Sequence, residues 1–96
     1  MSIAMRFVGV VIKAPTSDYG IHFPDLPGCI TAGKNMAEAR RFASEALGLH
    51  LDGMVEDGTT IPVPRSLTDI RDDPECQGAT TLILVEAPAK GNSVTK

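Results

Sequence analysis

A single small α+β domain with element order β-β-β-α-β is the fold class this sequence predicts. Three observations carry the prediction. Two β-rich runs separated by a turn precede residue 24, a helical pattern runs from Asn35 to Gly58, and a continuous apolar run, Leu82-Ile83-Leu84-Val85, lies near the end. The length of 96 residues fits one domain with a modest core. Hydrophobic residues make up 43% and charged residues 22%, the balance of a folded chain rather than a disordered one.

Arg6 to Lys13 reads as the first strand. Phe7, Val8, Val10, Val11 and Ile12 are β-formers and fall on both faces. Ala14-Pro15-Thr16-Ser17-Asp18 is a turn by composition. Tyr19 to Phe23 is the second strand, with Tyr19, Ile21 and Phe23 on one face and His22 on the other. From Phe23 to Gly33 the chain uses two prolines and two glycines. Pro24 and Pro27 fix their own φ and push Phe23 and Leu26 toward extended backbone. Gly28 admits a positive φ. These residues predict a rigid corner, after which Cys29 to Gly33 forms a short third strand.

The helix is the clearest element. Asn35 is a good N-cap, with Glu38 placed to complete a variant of the capping box. Ala39, Phe42, Ala43, Ala46, Leu47, His50 and Met54 form one stripe, and Arg41, Ser44, Glu45, Asp52 and Glu56 lie opposite. Gly48 falls on the polar side at a cost of about 1 kcal/mol relative to Ala. Gly58 is a C′ residue that ends the helix. Thr59 to Pro64 is an extended, proline-pinned return. Leu67 to Ile70 makes one helical turn capped by Ser66, and Asp72-Asp73-Pro74-Glu75 is an acidic turn. Thr80 to Glu86 is the last strand, and residues 87–96 are expected to fray.

Short connections make the first three strands an antiparallel meander. A right-handed crossover through the helix then puts the fourth strand beside the first and parallel to it, giving sheet order 3-2-1-4 with the helix on one face. One helix covers one face only, yet the first and last strands are apolar on both. Val8, Val10 and Ile12 therefore need a second cover, either the segment from Pro62 to Ile70 or another chain. The two-faced strands lead us to expect a homodimer or higher oligomer.

The formal net charge of −3, without a concentrated basic patch, argues against unaided nucleic-acid binding and fits a basic protein partner better. Arg40 and Arg41 are two adjacent charges on a solvated helix face. There is no apolar run of membrane-spanning length. Ser2-Ile3-Ala4-Met5 leads into a strand without the charged start of a signal peptide, so a cytoplasmic location is expected, and either Met1 or Met5 fits as the start. Cys29 and Cys76 stand in unrelated contexts and are expected to be two free thiols.

Catalysis finds little support. The first strand lacks the carboxylate that a two-metal nuclease places there, Glu38 is explained by capping, and Glu45 and Asp52 by a solvated helix face. The spacing of Gly28 to Gly33 does not make a phosphate loop. His22 and His50 have no cysteine or histidine cluster around them, so no metal or cofactor is expected. Asp25 fits an Asx-type bond that holds the corner better than it fits a functional carboxylate. Leu26 either tucks under the corner or anchors a partner. With Tyr19, Asp25 and Leu26 form the candidate partner-binding surface.

The string Phe23-Pro24-Asp25-Leu26-Pro27-Gly28-Cys29, then Thr31-Ala32-Gly33, Glu38-Ala39, Ala43, Glu45-Ala46-Leu47, Gly58 and Ile61-Pro62-Val63-Pro64, resembles the HicB antitoxin family. The resemblance covers about residues 6–86. It implies a partial ribonuclease-H-like β-β-β-α-β domain that binds and neutralises a HicA-like toxin. Such toxins are small basic proteins of double-stranded-RNA-binding fold that cleave messenger RNA. It also implies dimers or tetramers. Full-length members usually add a carboxy-terminal DNA-binding part. Here only residues 87–96 follow the domain at 1–86, so DNA binding is not expected of this chain alone. Two other functions stay open at this point: a metal-dependent ribonuclease, and a solitary binding domain without a toxin.

Overall fold

The β-branched and aromatic run after Arg6 favours extended backbone. In the computed structural model, which describes residues 5–88, it forms β1 (Arg6–Ile12). β2 (Tyr19–His22), β3 (Ile30–Gly33) and β4 (Thr81–Glu86) complete one sheet in the predicted order β3-β2-β1-β4. The main helix, α1 (Met36–Glu56), lies on one face. A short helix, α2 (Leu67–Arg71), capped by the Ser66 side chain, and a single 3₁₀ turn over Pro74–Cys76 precede β4. The second candidate for the start, Met5, is described; Met1 and residues 89–96 of the expected tail lie outside the described residues.

One expectation is corrected. β4 runs antiparallel to β1, not parallel, with Arg6 opposite Glu86 and Val10 opposite Leu82. β3 and β1 are each antiparallel to β2, so they share one direction. A direct crossover through α1 would give β4 that direction too. Instead residues 57–80 carry the chain back along the sheet before β4 begins. Their passage also supplies the missing cover. Ile70 of α2 and Cys76 of the 3₁₀ turn bury Val8 and Val10, with Ala79 and Leu82 packed alongside. The return segment, rather than a second chain, thus closes the middle of that face.

The larger core lies between the sheet and α1. It holds Phe7, Val11, Ile21, Phe23, Leu26, Cys29, Ile83 and Val85 against Ala39, Ala43, Leu47 and Leu51. Leu51 was not in the predicted stripe, while Phe42, Ala46, His50 and Met54 sit half-buried at its margins. The buried line is therefore rotated slightly toward Leu51. Small residues at 39 and 43 let α1 approach the sheet closely. Both ends of α1 are closed as predicted. Asn35 Oδ1 accepts from the Glu38 N–H at 2.8 Å, and Glu38 Oε1 accepts from the Lys34 N–H at 2.7 Å. At the far end Gly58 takes φ +74° while the Thr59 N–H reaches Met54 O and the Gly58 N–H reaches Val55 O. That is a Schellman ending.

Candidate functional site

The proline corner is two consecutive β-turns. The Leu26 N–H donates to Phe23 O at 2.9 Å across Pro24-Asp25, and the Cys29 N–H donates to Leu26 O at 3.0 Å across Pro27-Gly28. Gly28 takes φ +91°, which with proline before it gives a type II turn. The Phe23 N–H then donates to Cys29 O and closes the loop between β2 and β3.

Asp25 holds this corner, but not through a local Asx bond. Its Oδ2 accepts from the Arg65 backbone N–H at 2.8 Å and its Oδ1 from Arg65 Nε at 2.6 Å. Arg65 Nη1 donates in turn to Asp73 Oδ2 at 2.9 Å, and Asp73 Oδ1 accepts from the Glu75 N–H. One guanidinium thus ties together the corner, the proline return and the 3₁₀ turn. The Asp25 side chain is 8% exposed and that of Arg65 38%. The hydrogen bonds Arg65 donates to both carboxylates push its pKa up, that to Asp73 first and that to Asp25 second. The Arg65 hydrogen bond, then the Glu75 N–H, holds Asp73 below the ordinary carboxylate range. Arg65 was missed in the sequence because its partners lie 40 and 8 positions away. The available signal was a lone arginine between a proline-pinned return and a helix cap.

The depressed value makes a pH prediction. An aspartate in the unfolded chain titrates near about 3.9, and Asp73 in the folded chain below that. The folded state then binds fewer protons, so the Asp73 contribution is complete above that value. It is lost as pH falls through the folded pKa. Asp73→Asn should flatten the acid limb of unfolding free energy against pH, measured by urea denaturation at a series of pH values.

Leu26 is 1% exposed and belongs to the main core, so of its two alternatives the structure shows the tucked one. Tyr19 is half-buried at the start of β2, with Lys13 Nζ 5.4 Å from its ring centroid. Tyr19 and the Asp25-Leu26 pair lie off opposite ends of β2 and are not brought together. What the corner shows to solvent is Pro27 and Gly28. Cys29 and Cys76 are free and buried, as expected, and burial pushes both thiols up. His22 lies on the sheet face away from α1. With Ile12, Ile30, Thr31 and Ala32 it lines an open hollow of about 460 Å³. Ile12 is 45% exposed there and Ile30 70%. Among the described residues no three His, Cys, Asp or Glu side chains gather as a metal site, and no helix is long and apolar enough to cross a membrane.

The fold and its surfaces define a small α+β domain whose inner polar network is occupied in holding turns. A family model described as a HicB_like antitoxin of bacterial toxin-antitoxin systems matches residues 7–93, and the chain belongs to that family. Antitoxin HicB of Escherichia coli K12 is 36% identical over 63 residues, covering 66% of this chain and 46% of that protein. The N-terminal domain of the Burkholderia pseudomallei antitoxin HicB is 27% identical, with a TM-score of 0.71 over 88% of this chain and 99% of that one. A chain of a HicA3 and HicB3 toxin-antitoxin complex is 27% identical, with a TM-score of 0.72 and the same coverage. The chain spans about half the length of the curated relatives it matches.

Proposed function

We propose that this chain is the toxin-binding part of an antitoxin: it binds a HicA-like toxin and keeps RNA from the toxin's active surface. The observation that carries the reading is the family match across residues 7–93, joined to the likeness to a chain from a HicA3 and HicB3 complex. An acidic balance of −3 favours encounter with a basic partner. On this reading Tyr19 and the rim of the corner contact the toxin, with Asp25 and Leu26 fixing the shape of that rim from beneath. The protein acts in the cytoplasm by occlusion, as a binding module rather than an enzyme. The ribonuclease alternative loses its leading candidate, because both carboxylate oxygens of Asp25 accept hydrogen bonds from Arg65.

Co-expression with a tagged HicA-like toxin from the adjoining reading frame tests the reading. The expected result is a complex that survives affinity and size-exclusion steps. A soluble, folded toxin that never retains this chain would refute it. Magnesium-dependent RNA cleavage by the purified chain, abolished in Asp25→Asn, would favour the ribonuclease instead.

A further inference from the structure

After α1 the chain crosses the outer face of the sheet between two fixed points. Upstream, Ile61 packs against the larger core. Downstream, the Thr80 N–H donates to Val11 O at 2.7 Å, and Thr80 Oγ1 accepts from the Lys13 N–H at 3.0 Å. Residues 62–79 span the gap. From Ser66 to Ala79 the buried side chains are Ile70 and Cys76, both in the small cluster with Val8 and Val10. Much of the rest faces water: Val63 is 86% exposed and Leu67 44%.

The polar bonds of this stretch fall into two sets. Arg65 reaches the body of the domain through its two bonds to Asp25. The second set closes on the stretch itself. The Ile70 N–H donates to Ser66 O, the Asp72 N–H to Thr68 O, the Cys76 N–H to Asp73 O, and Gln77 Nε2 to Arg71 O. The bond from Arg65 Nη1 to Asp73 Oδ2 is internal in the same way.

We propose that residues 62–79 form a strap that lifts off the sheet as one piece while the four strands and α1 stay folded. Lifting gives up the Asp25 clasp and the burial of Ile70 and Cys76. Unfolding the body gives up Phe7, Phe23, Leu26, Leu47 and the rest of the larger core. A unit with few buried apolar side chains opens at lower free energy than the core it covers. Pro62 and Pro64 keep the upstream arm extended, and Gly78, at φ +86°, is the downstream pivot. Once detached, α2 is only five residues long and does not persist as a helix in water. Its amides and the Cys76 thiol therefore become reachable together.

The movement changes the outer face of the sheet. Val10 lies between His22 on one side and Leu82 on the other. His22 in turn lines the hollow with Ile12 and Ile30. With the strap lifted, one apolar face runs from Ile30 across Val10 and Val8 to Leu82. The strap thus sets how much apolar sheet the domain shows.

This inference does not rest on toxin binding. Its test uses the chain alone, so that its failure and the failure of the antitoxin reading are distinguishable. Native-state hydrogen exchange followed by NMR is combined with pulsed iodoacetamide labelling of the thiols. The amides of Ile70, Asp72 and Cys76 and the Cys76 thiol should report one common opening. It should be at least about thirtyfold more frequent than the opening that frees the amides of Ala43 and Leu47 inside α1. Arg65→Ala should raise the strap opening about fivefold or more, and Asp25→Asn should do so from the other side of the clasp. Ile21→Val, in the larger core, should speed exchange in α1 about fivefold and leave the strap opening unchanged, because Ile21 stays packed when the strap lifts. Equal opening frequencies for strap and α1, both raised by Ile21→Val, would overturn the proposal. Unequal frequencies among the strap amides and the Cys76 thiol would mean fraying residue by residue and overturn it too, as would a strap opening unmoved in both clasp variants.

Discussion

Leu26→Ala is expected to lower the unfolding free energy by about 3 kcal/mol. Leu26 sits between two turn-fixing prolines but is 1% exposed, inside the cluster that also holds Phe7, Phe23 and Leu47. Truncation removes transfer energy and leaves a cavity. The surrounding backbone cannot collapse into it, because Leu26 O and the Leu26 N–H both close turns of the corner. A loss of this size is a large fraction of the stability of a small domain. Urea denaturation checks it, with the midpoint falling at unchanged m-value. A variant of near wild-type stability that fails to bind a toxin would show instead that Leu26 acts as a partner anchor.

Gly33→Ala is expected to be comparably damaging, at about 3 kcal/mol or outright failure to fold. A Cβ at this position would lie 2.5 Å from the Ala39 N, 2.7 Å from the Ala39 Cα and 2.9 Å from the Glu38 carbonyl carbon. All three are backbone atoms in the first turn of α1, so no flexible side chain can move aside. The same turn carries the Asn35 and Glu38 caps, and relieving the clash by shifting α1 would pull those hydrogen bonds apart. Circular dichroism and thermal melting against the wild-type chain measure the effect. By contrast, a Cβ on Gly53, in the same helix, would meet nothing within 4 Å. Gly53→Ala therefore serves as the control for glycine replacement itself.

The parts of this fold that were legible in the sequence are those fixed by neighbours along the chain. Asn35, Glu38, Gly58 and Ser66 cap helices through bonds a few residues long, and each stands where sequence spacing placed it. The meander and the sheet order followed from connection lengths and β-forming runs. The direction of β4 did not, because it depends on the route of residues 57–80 across the opposite face. That route is fixed by the burial of Ile70 and Cys76 against Val8 and Val10, a long-range event with no local signature. Asp25 is the same lesson at the candidate site. A turn aspartate invites a local hydrogen bond, yet its carboxylate is satisfied by Arg65, 40 positions further along the chain. The reading of Leu26 as either tucked or exposed could be decided only by packing.

The network around Arg65 changes what the corner is for. Asp25, counted in the sequence with the candidate partner-binding surface, belongs to a joint in which one arginine locks a turn to the return segment. Surfaces left open among the described residues include the corner rim and the hollow around Ile12, His22 and Ile30. The chain belongs to the HicB_like antitoxin family.

The most direct measurement is the rate at which a purified HicA-like toxin cleaves messenger RNA as this chain is titrated in. The account predicts that cleavage falls to background as the chain saturates the toxin, and that the chain alone leaves the RNA intact. Undiminished cleavage at a large excess of folded chain over its cognate toxin would contradict it.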